Sequence, residues 1–478
     1  MHGAGLCGLI CIYNRVGNQG CPVADQTVQA LWAARALLPD GWASDVRINL
    51  AYGRIAAVQT GAAPATTDTR AEVLLPGLGN LHSHAFQRGM AGLTEVGGRS
   101  GDSFWSWREL MYRFVDRLDP DSLQAIAEQA YVEMLEAGFT RVGEFHYLHH
   151  SVSGAPYAQP AEMAERIVAA AAGTGIGLTL LPVFYAHSDF GGAPPNPAQR
   201  RLIHDIDGFA RLLSDCARSL AALPDAVLGL APHSLRAVTP AQLAALAPLV
   251  DGPIHIHIAE QQREVEACLA WSGQRPVQWL YANAPVDARW CLVHATHVEA
   301  GELDAIISSG AVVGLCPITE ANLGDGLFPM QAFASRGGRF GVGSDSNVLI
   351  DAAEELRLLE YGQRLQLRAR NVLAPADTSS GRWLYSSALA GAAQALGSGQ
   401  PGICVGASAD LLELDHTHPA LLARTDDALL DSWLFAARAG AVRHVWRAGQ
   451  WVVRDGRHVA RERVAARFAA VMQTLLHG

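Results

Sequence analysis

Hydrophobic and polar positions alternate with two different periods along this chain. Through the middle, short runs rich in Val, Leu, Ile and Phe read as strands. Between them, stretches with apolar residues three and four apart read as amphipathic helices. Eight strand-like runs follow one another: "VLLPGLGNLHSH", "TRVGEFHY", "GLTLLPVFY", "VLGLAPHS", "PIHIHIAE", "WCLVHATH", "AVVGLCP" and "RFGVGSDS". The helical stretches include "DSLQAIAEQAYVEMLEAG", "EQQREVEACLAWSG" and "AGELDAIISSG". Eight strand–helix units predict an α/β fold, a (β/α)8 TIM barrel. An open doubly wound sheet is the alternative. Neither GxGxxG nor a P-loop follows the first run, so the usual reason to prefer it is missing.

The two ends carry a different pattern. Residues 30–75, with "ALLPDGWASDVRINLAYGRIAAVQTG" among them, alternate short apolar stretches with Asp-Gly and Tyr-Gly turn signals. "ADLLELD" and "VRHVWRAGQWVVRDGRHV" do the same near the other end, with turns at Gly449 and at Asp455-Gly456. Both ends therefore predict one small β-sandwich domain, from residues 30–75 and 399–478, with the barrel inserted over 76–398. Residues 1–29 stand apart as an irregular N-terminal extension. No Lys or Arg precedes "GLCGLICIY", which argues against a signal peptide.

Composition narrows the class. Half of the 478 residues are hydrophobic and 17% are charged, as in a soluble globular protein with a large core. A net charge of −10 argues against nucleic acid or an anionic membrane as partner. It leaves room for a small anion gripped by a few arginines. Eight cysteines are scattered without CxxC spacing, which predicts reduced thiols in a cytoplasmic protein. No apolar run reaches the ~18 residues of a spanning helix.

Polar residues gather where the strand-like runs end: His82 and His84, Glu144 and His146, His233, His257 and Glu260, His294, and Asp345. In a parallel barrel those ends meet at one face, where active sites are built. His82 and His84, two apart, share one side of a strand. Alone, the pair reads equally well as polar decoration of a loop edge. His255 and His257 also share a face, and the pattern leaves both open. Three histidines and a carboxylate suit Zn²⁺ or a similar divalent ion, with one position left for water. Asp345 ends an apolar strand, "FGVGSD", where an aspartate is costly to bury unless it is paired or bound to metal. An Asx-turn or helix cap is the other reading.

HxH ending the first run, HxxE the fifth, His the sixth and SD the eighth together resemble the amidohydrolase superfamily, in its mononuclear deaminase branch. No Lys ends the fourth run, where binuclear members place a bridging one. The resemblance covers roughly residues 30–478 and implies a barrel of the metal-dependent hydrolase type. It implies one divalent metal ion, Zn²⁺ first among the candidates, held by His82, His84, His257 and Asp345. The HxxE spacing selects His257 over His255. It implies catalytic roles for Glu260, His294 and Asp345 around the bound water. "LPGLGNLHSHAFQRGMAGLTE", "FWSWRELMYRF", "GEFHYLHH", "APHSLRAV" and "HIHIAEQ" resemble the formimidoylglutamate deiminases in particular. That implies substrate contacts at Gln87, Arg108, Tyr147, His233 and Arg236. It also implies hydrolysis of N-formimidoyl-L-glutamate to N-formyl-L-glutamate and ammonia, and a homodimer. The N-terminal extension has no counterpart in that family.

The residue types agree with a small dicarboxylate, because Arg binds carboxylates through a planar two-donor fork. A rival is a deaminase acting on a purine or related amidine-containing ring, which would stack on Trp105, Trp107 or Tyr147. A non-catalytic barrel would lack a ligand or Glu260, and none is missing. The Gly- and Pro-containing loop "AHSDFGGAPPNPAQRR" is a candidate lid. Arg88 has no role beyond facing outward or supporting its loop.

Overall fold

The computed structural model describes residues 29–97 and 104–477, so nearly all of the expected N-terminal extension lies outside the described residues. Four strands open the described chain: β1 (Ala30–Leu38), β2 (Gly41–Ala51), β3 (Arg54–Gln59) and β4 (Thr69–Pro76). The middle supplies β5 (Leu78–Ser83), β6 (Phe139–His146), β7 (Gly177–Phe184), β8 (Val227–Leu228) and β9 (Ala231–Pro232). It continues with β10 (Ile254–Ile258), β11 (Trp290–His294), β12 (Val312–Leu315) and β13 (Arg339–Val342). Near the C-terminus come β14 (Leu411–Leu414), β15 (Val442–Arg447), β16 (Gln450–Arg454) and β17 (Arg457–His458).

The middle strands form two parallel sheets, β5-β6-β7-β8 with β9 also on β7, and β10-β11-β12-β13. β6, β7, β10, β11 and β12 are buried along their whole length, because helices cover one side and neighbouring strands the other. That double burial is why they read as continuous apolar runs. The fourth run is split into β8 and β9, since between them the Leu230 N–H turns to Pro253 O, 3.0 Å away. Parallel bridges Leu230↔Ile254 and Ser234↔His257 join the two sheets on this side.

On the other side Ser83 bridges Asp345. His84 N donates to Asp345 O and Asp345 N donates to His82 O, each at 2.9 Å. A Cβ at Gly343 would lie 2.7 Å from both N and O of His82, so the backbones can approach this closely only without a side chain there. A buried polar network locks the contact. Asn80 Nδ2 donates to Ser344 Oγ at 2.6 Å, and Asn347 Nδ2 donates to Ser83 Oγ, His84 O and Asp345 O at 3.0–3.1 Å.

Both chain ends enter one eight-stranded sheet, ordered β17-β16-β15-β14-β4-β1-β2-β3. β14 pairs antiparallel with β4, which unites the N- and C-terminal segments. The turn signals hold: in Ala448-Gly449 and Asp455-Gly456 both residues have positive φ, as a two-residue hairpin of the I′ type requires. Leu31, Ile48, Leu74, Leu411 and Trp446 pack into a core of this sheet, distinct from that of the middle segment. Among the described residues Cys216, Cys268, Cys291, Cys316 and Cys404 are free thiols, and no helix is long and apolar enough to cross a membrane.

Gly343→Ala tests the seam between β5 and β13. Chemical denaturation should show a loss of about 1–3 kcal/mol, the usual cost of forcing a methyl group into packed backbone. Metal content should fall with it, because the same contact sets Asp345 against His82 and His84.

Candidate metal centre and active site

His82, His84, His257 and Asp345 are buried, and one ligand atom from each lies within 4.8 Å of the others. Asp345 Oδ1 stands 3.2 Å from His84 Nε2 and 3.4 Å from His82 Nε2. His84 Nδ1 is bonded to Phe145 O at 3.0 Å and His257 Nδ1 to His233 O at 3.1 Å. A carbonyl only accepts, so in both rings Nδ1 carries the proton and Nε2 presents its lone pair to the centre. His257 Nε2 faces His82 Nε2 at 3.0 Å. Burial pulls His82 down to about 3 and His257 well below its ordinary value, so neither ring holds a second proton at neutral pH. Facing imidazole nitrogens that cannot both be protonated, beside a carboxylate, fit a divalent cation. Burial alone would raise Asp345, but the close approach of the His82 and His84 rings outweighs it and holds the carboxyl well below the usual range. His255 Nε2 instead meets Ala395 O at 2.8 Å, away from the centre, so the ring in the cluster is His257.

The backbone is bent to bring these groups together. Ala259, His294, Ala295, Asp345 and Asn347 all have φ between 43° and 65°, a left-handed conformation costly for non-glycine residues. All five lie at the ends of the strand-like runs. His294 Nδ1 is 3.1 Å from Glu320 Oε1, while its Nε2 is 3.7 Å from Asp345 Oδ2 and 3.9 Å from Glu260 Oε1. Glu320 also accepts from Cys316 N at 2.8 Å, which fixes the carboxylate that orients the ring. Burial would lower His294, but Glu260 and Glu320 outweigh it and raise it to about 10. Burial pushes Glu260 up to about 7 against the pull of His294. The site therefore pairs a carboxyl able to carry a proton near neutral pH with an imidazole held as a donor.

A cavity opens beside the cluster, and Gln87, Arg108, Tyr147, His233 and Arg236 all line it. Gln87 Nε2 donates to Tyr147 OH at 2.9 Å, and its buried Oε1 has no partner. Arg236 is 5% exposed, yet its Nε and Nη1 have no partner either. Burial and the charges of Arg236 and Arg108 hold His233 well below its ordinary value, so its ring is neutral.

Several polar residues take roles that strand-end patterning does not reveal. Glu320 comes from the short helix Pro317–Leu323, and Tyr112, also on the cavity wall, from the helix Phe104–Val115. Tyr185 ends the third run, so the strand-end rule could have found it; it too lines the cavity. His146 packs against His149, with ring centroids 5.4 Å apart, and does not line the cavity. Glu144 accepts from Ala85 N at 2.7 Å and so braces the turn after β5. Arg88 pairs with Glu133 at 2.6 Å and donates to Asn347 O and Val348 O at 3.3–3.4 Å. It therefore supports the loop that carries Asp345. The candidate lid is tied down at its end, where fully buried Arg201 donates to His150 O at 2.9 Å.

Parallel α/β architecture with a buried three-histidine, one-carboxylate centre at the strand ends defines a metal-dependent hydrolase. Comparison with known proteins agrees. Residues 73–452 match the model of the Amidohydrolase family, and residues 28–72 match that of the formimidoylglutamate deiminase HutF, N-terminal domain. A formimidoylglutamate deiminase of Pseudomonas aeruginosa is 54% identical over 94% of this chain and 100% of its own length. A 5-methylthioadenosine/S-adenosylhomocysteine deaminase of Natronomonas pharaonis is 28% identical over 86% of this chain and 89% of its own. The crystal structure of an amidohydrolase from Brucella melitensis superposes with a TM-score of 0.91 at 54% identity, covering 94% of this chain and 100% of that one. The chain belongs to the amidohydrolase family and, within it, to the formimidoylglutamate deiminases.

Two histidine variants test the ligand assignment by elemental analysis. His257→Ala should be purified without its metal and without activity. His255→Ala should keep the metal, because that ring bonds only to the carbonyl of Ala395.

Proposed function

We propose that the protein hydrolyses N-formimidoyl-L-glutamate to N-formyl-L-glutamate and ammonia. Arg236 carries this reading. A buried guanidinium with two empty donors on a cavity wall is costly unless a ligand fills them, and a carboxylate matches its fork. Arg108 on the same wall supplies a fork for the second carboxylate of a dicarboxylic substrate. The Pseudomonas aeruginosa relative carries the name of this activity at 54% identity, against 28% for the 5-methylthioadenosine/S-adenosylhomocysteine deaminase of Natronomonas pharaonis, so a ring substrate is not favoured.

His82, His84, His257 and Asp345 would hold the metal, and their borderline nitrogen and hard oxygen donors favour Zn²⁺. When bound, such an ion lowers the pKa of a coordinated water toward about 7 and supplies hydroxide at neutral pH. Asp345 Oδ2 accepts the proton of the attacking water. His294 Nε2, oriented by Glu320, donates to the oxygen and aims it at the formimidoyl carbon. Addition makes the new C–O bond, and the C=N electron pair moves to the terminal nitrogen. Glu260 protonates that nitrogen. The proton taken up by Asp345 follows onto the same nitrogen, the adduct's hydroxyl proton returns to Glu260, and the C–N bond breaks, so that ammonia leaves and the carbon retains the oxygen as a formyl group. Gln87 Oε1 is available to accept an N–H of the formimidoyl group, and Tyr147 OH holds Gln87 in place. Fixing both carboxylates at a distance from the reacting carbon lowers the barrier by orientation.

In this reading the two parallel sheets and their bridging pairs form one closed (β/α)8 barrel over residues 76–398. The end sheet, from residues 30–75 and 399–478, folds about its own core as a β-sandwich. Residues 1–29 are an extension outside the catalytic unit. The enzyme is a cytoplasmic homodimer, in keeping with its free thiols.

Ammonia release from formimidoylglutamate by the metal-replete protein is the direct test, and its absence would refute the substrate. Glu260→Gln should retain the metal and lower kcat by about 10²–10⁴-fold, the range for loss of a general acid–base group. Arg236→Met should retain the metal and lower kcat/KM by about 10–100-fold, the worth of charged hydrogen bonds. Loss of metal in either variant would mean that the residue is structural.

A further inference from the structure

Three guanidinium groups converge on one indole. Cζ of Arg108, Arg236 and Arg263 lies 5.4, 5.5 and 4.6 Å from the centroid of the Trp105 ring. Arg108 and Arg236 line the cavity, whereas Arg263 does not. It is exposed, on the first turn of the helix Gln262–Ser272. Trp105 thus stands between an inner pair of cations and an outer one.

Among the described residues the three charges are answered only in part, with Glu260 acting through space on Arg108 and Arg236. No carboxylate among the described residues forms an ion pair with any of the three, and two donors of Arg236 are empty. Like charges gathered around one ring repel, and the ring's negative face offsets only part of that. Arg263 is also poorly placed for its own helix, because a cation in the first turn opposes the helix dipole. Helix stability does not account for the residue, and its contact with Trp105 leaves its charge unpaired, whereas the carboxylates of an incoming dicarboxylate answer that charge.

We infer that Arg263 is a specificity-determining residue for the proposed reaction: an outer cation that captures a dicarboxylate substrate at the cavity mouth, with Trp105 holding it in register with the inner arginines. The substrate's identity rests on the proposed function, but the selection for negative charge does not. Arg263 lies off the cavity wall and touches no reacting atom, so it acts on capture and leaves the chemical step alone. Capture by an exposed charge is screened by salt.

Steady-state kinetics of the metal-replete wild type, Arg263→Met, Arg263→Glu and Trp105→Leu, at low and high ionic strength, test this. Arg263→Met should raise KM for formimidoylglutamate by about tenfold, at the low end of steering effects, with kcat within about twofold. Its kcat/KM should fall less steeply with salt than that of the wild type. Arg263→Glu should raise KM further and flatten or invert the salt dependence. Trp105→Leu, which keeps the charge but removes the platform, should raise KM in the same direction. A merely structural residue would leave the salt dependence untouched, so unchanged KM and salt slope in Arg263→Met would overturn the inference. Calorimetric binding of glutarate separates the two readings. Arg263-dependent glutarate binding without ammonia release would refute the substrate and leave the role of Arg263 standing. Ammonia release with glutarate binding indifferent to Arg263 would refute only the latter.

Discussion

The catalytic centre depends on one contact, the approach of β5 to the end of β13. Asp345 reaches His82 and His84 because two backbone hydrogen bonds exchange between His82, His84 and Asp345 at 2.9 Å. Gly343 permits the approach by having no side chain to place against His82. Asn80 and Ser344, 264 positions apart in the chain, are hydrogen-bonded beneath it. Arg88 adds a brace from outside by holding the carbonyls of Asn347 and Val348. The metal site is therefore a property of a seam, and half of its ligands would be lost to the other half if the seam opened.

Burial gives this centre its chemistry. Removing water from His82 and His257 makes their charged forms expensive, so they stand as lone-pair donors at neutral pH. The same desolvation pushes Glu260 up to about 7, where it can exchange a proton. His294 moves the other way because two carboxylates face it, one at each ring nitrogen. Identical residue types thus acquire different roles from their neighbours. Backbone carbonyls select the tautomers of His84 and His257, and a carboxylate selects that of His294.

Much of this was legible along the chain because the strands are covered on both faces and read as uninterrupted apolar runs. The polar residues that end such runs stand out against them, which is why His82, His84, His257, His294 and Asp345 could be singled out. The hairpins of the end sheet were legible for a local reason, since Gly449 and the Asp455-Gly456 pair meet the positive-φ demand of their turns. Glu320, Tyr112 and Arg263 escaped because they sit on helices, where a polar residue looks like any other solvent-facing position. His146 misled for the opposite reason. It ends a strand like the others, but its ring turns to a neighbouring histidine outside the cavity.

Sequence by itself determined the order of strands and helices, the pairing of the two chain ends and the set of groups able to hold a metal. These follow from periodicity, turn chemistry and residue type, all of which are local. The choice of His257 over His255 needed a family spacing, since two residues on one strand face are equivalent until something occupies one of them. Tertiary structure decided it physically, by giving His255 a carbonyl partner and His257 a place beside His82. It also decided which arginines face a shared cavity, which ring presents which nitrogen, and how far each carboxyl is desolvated. Those are properties of atoms brought together from distant parts of the chain, and no local pattern carries them.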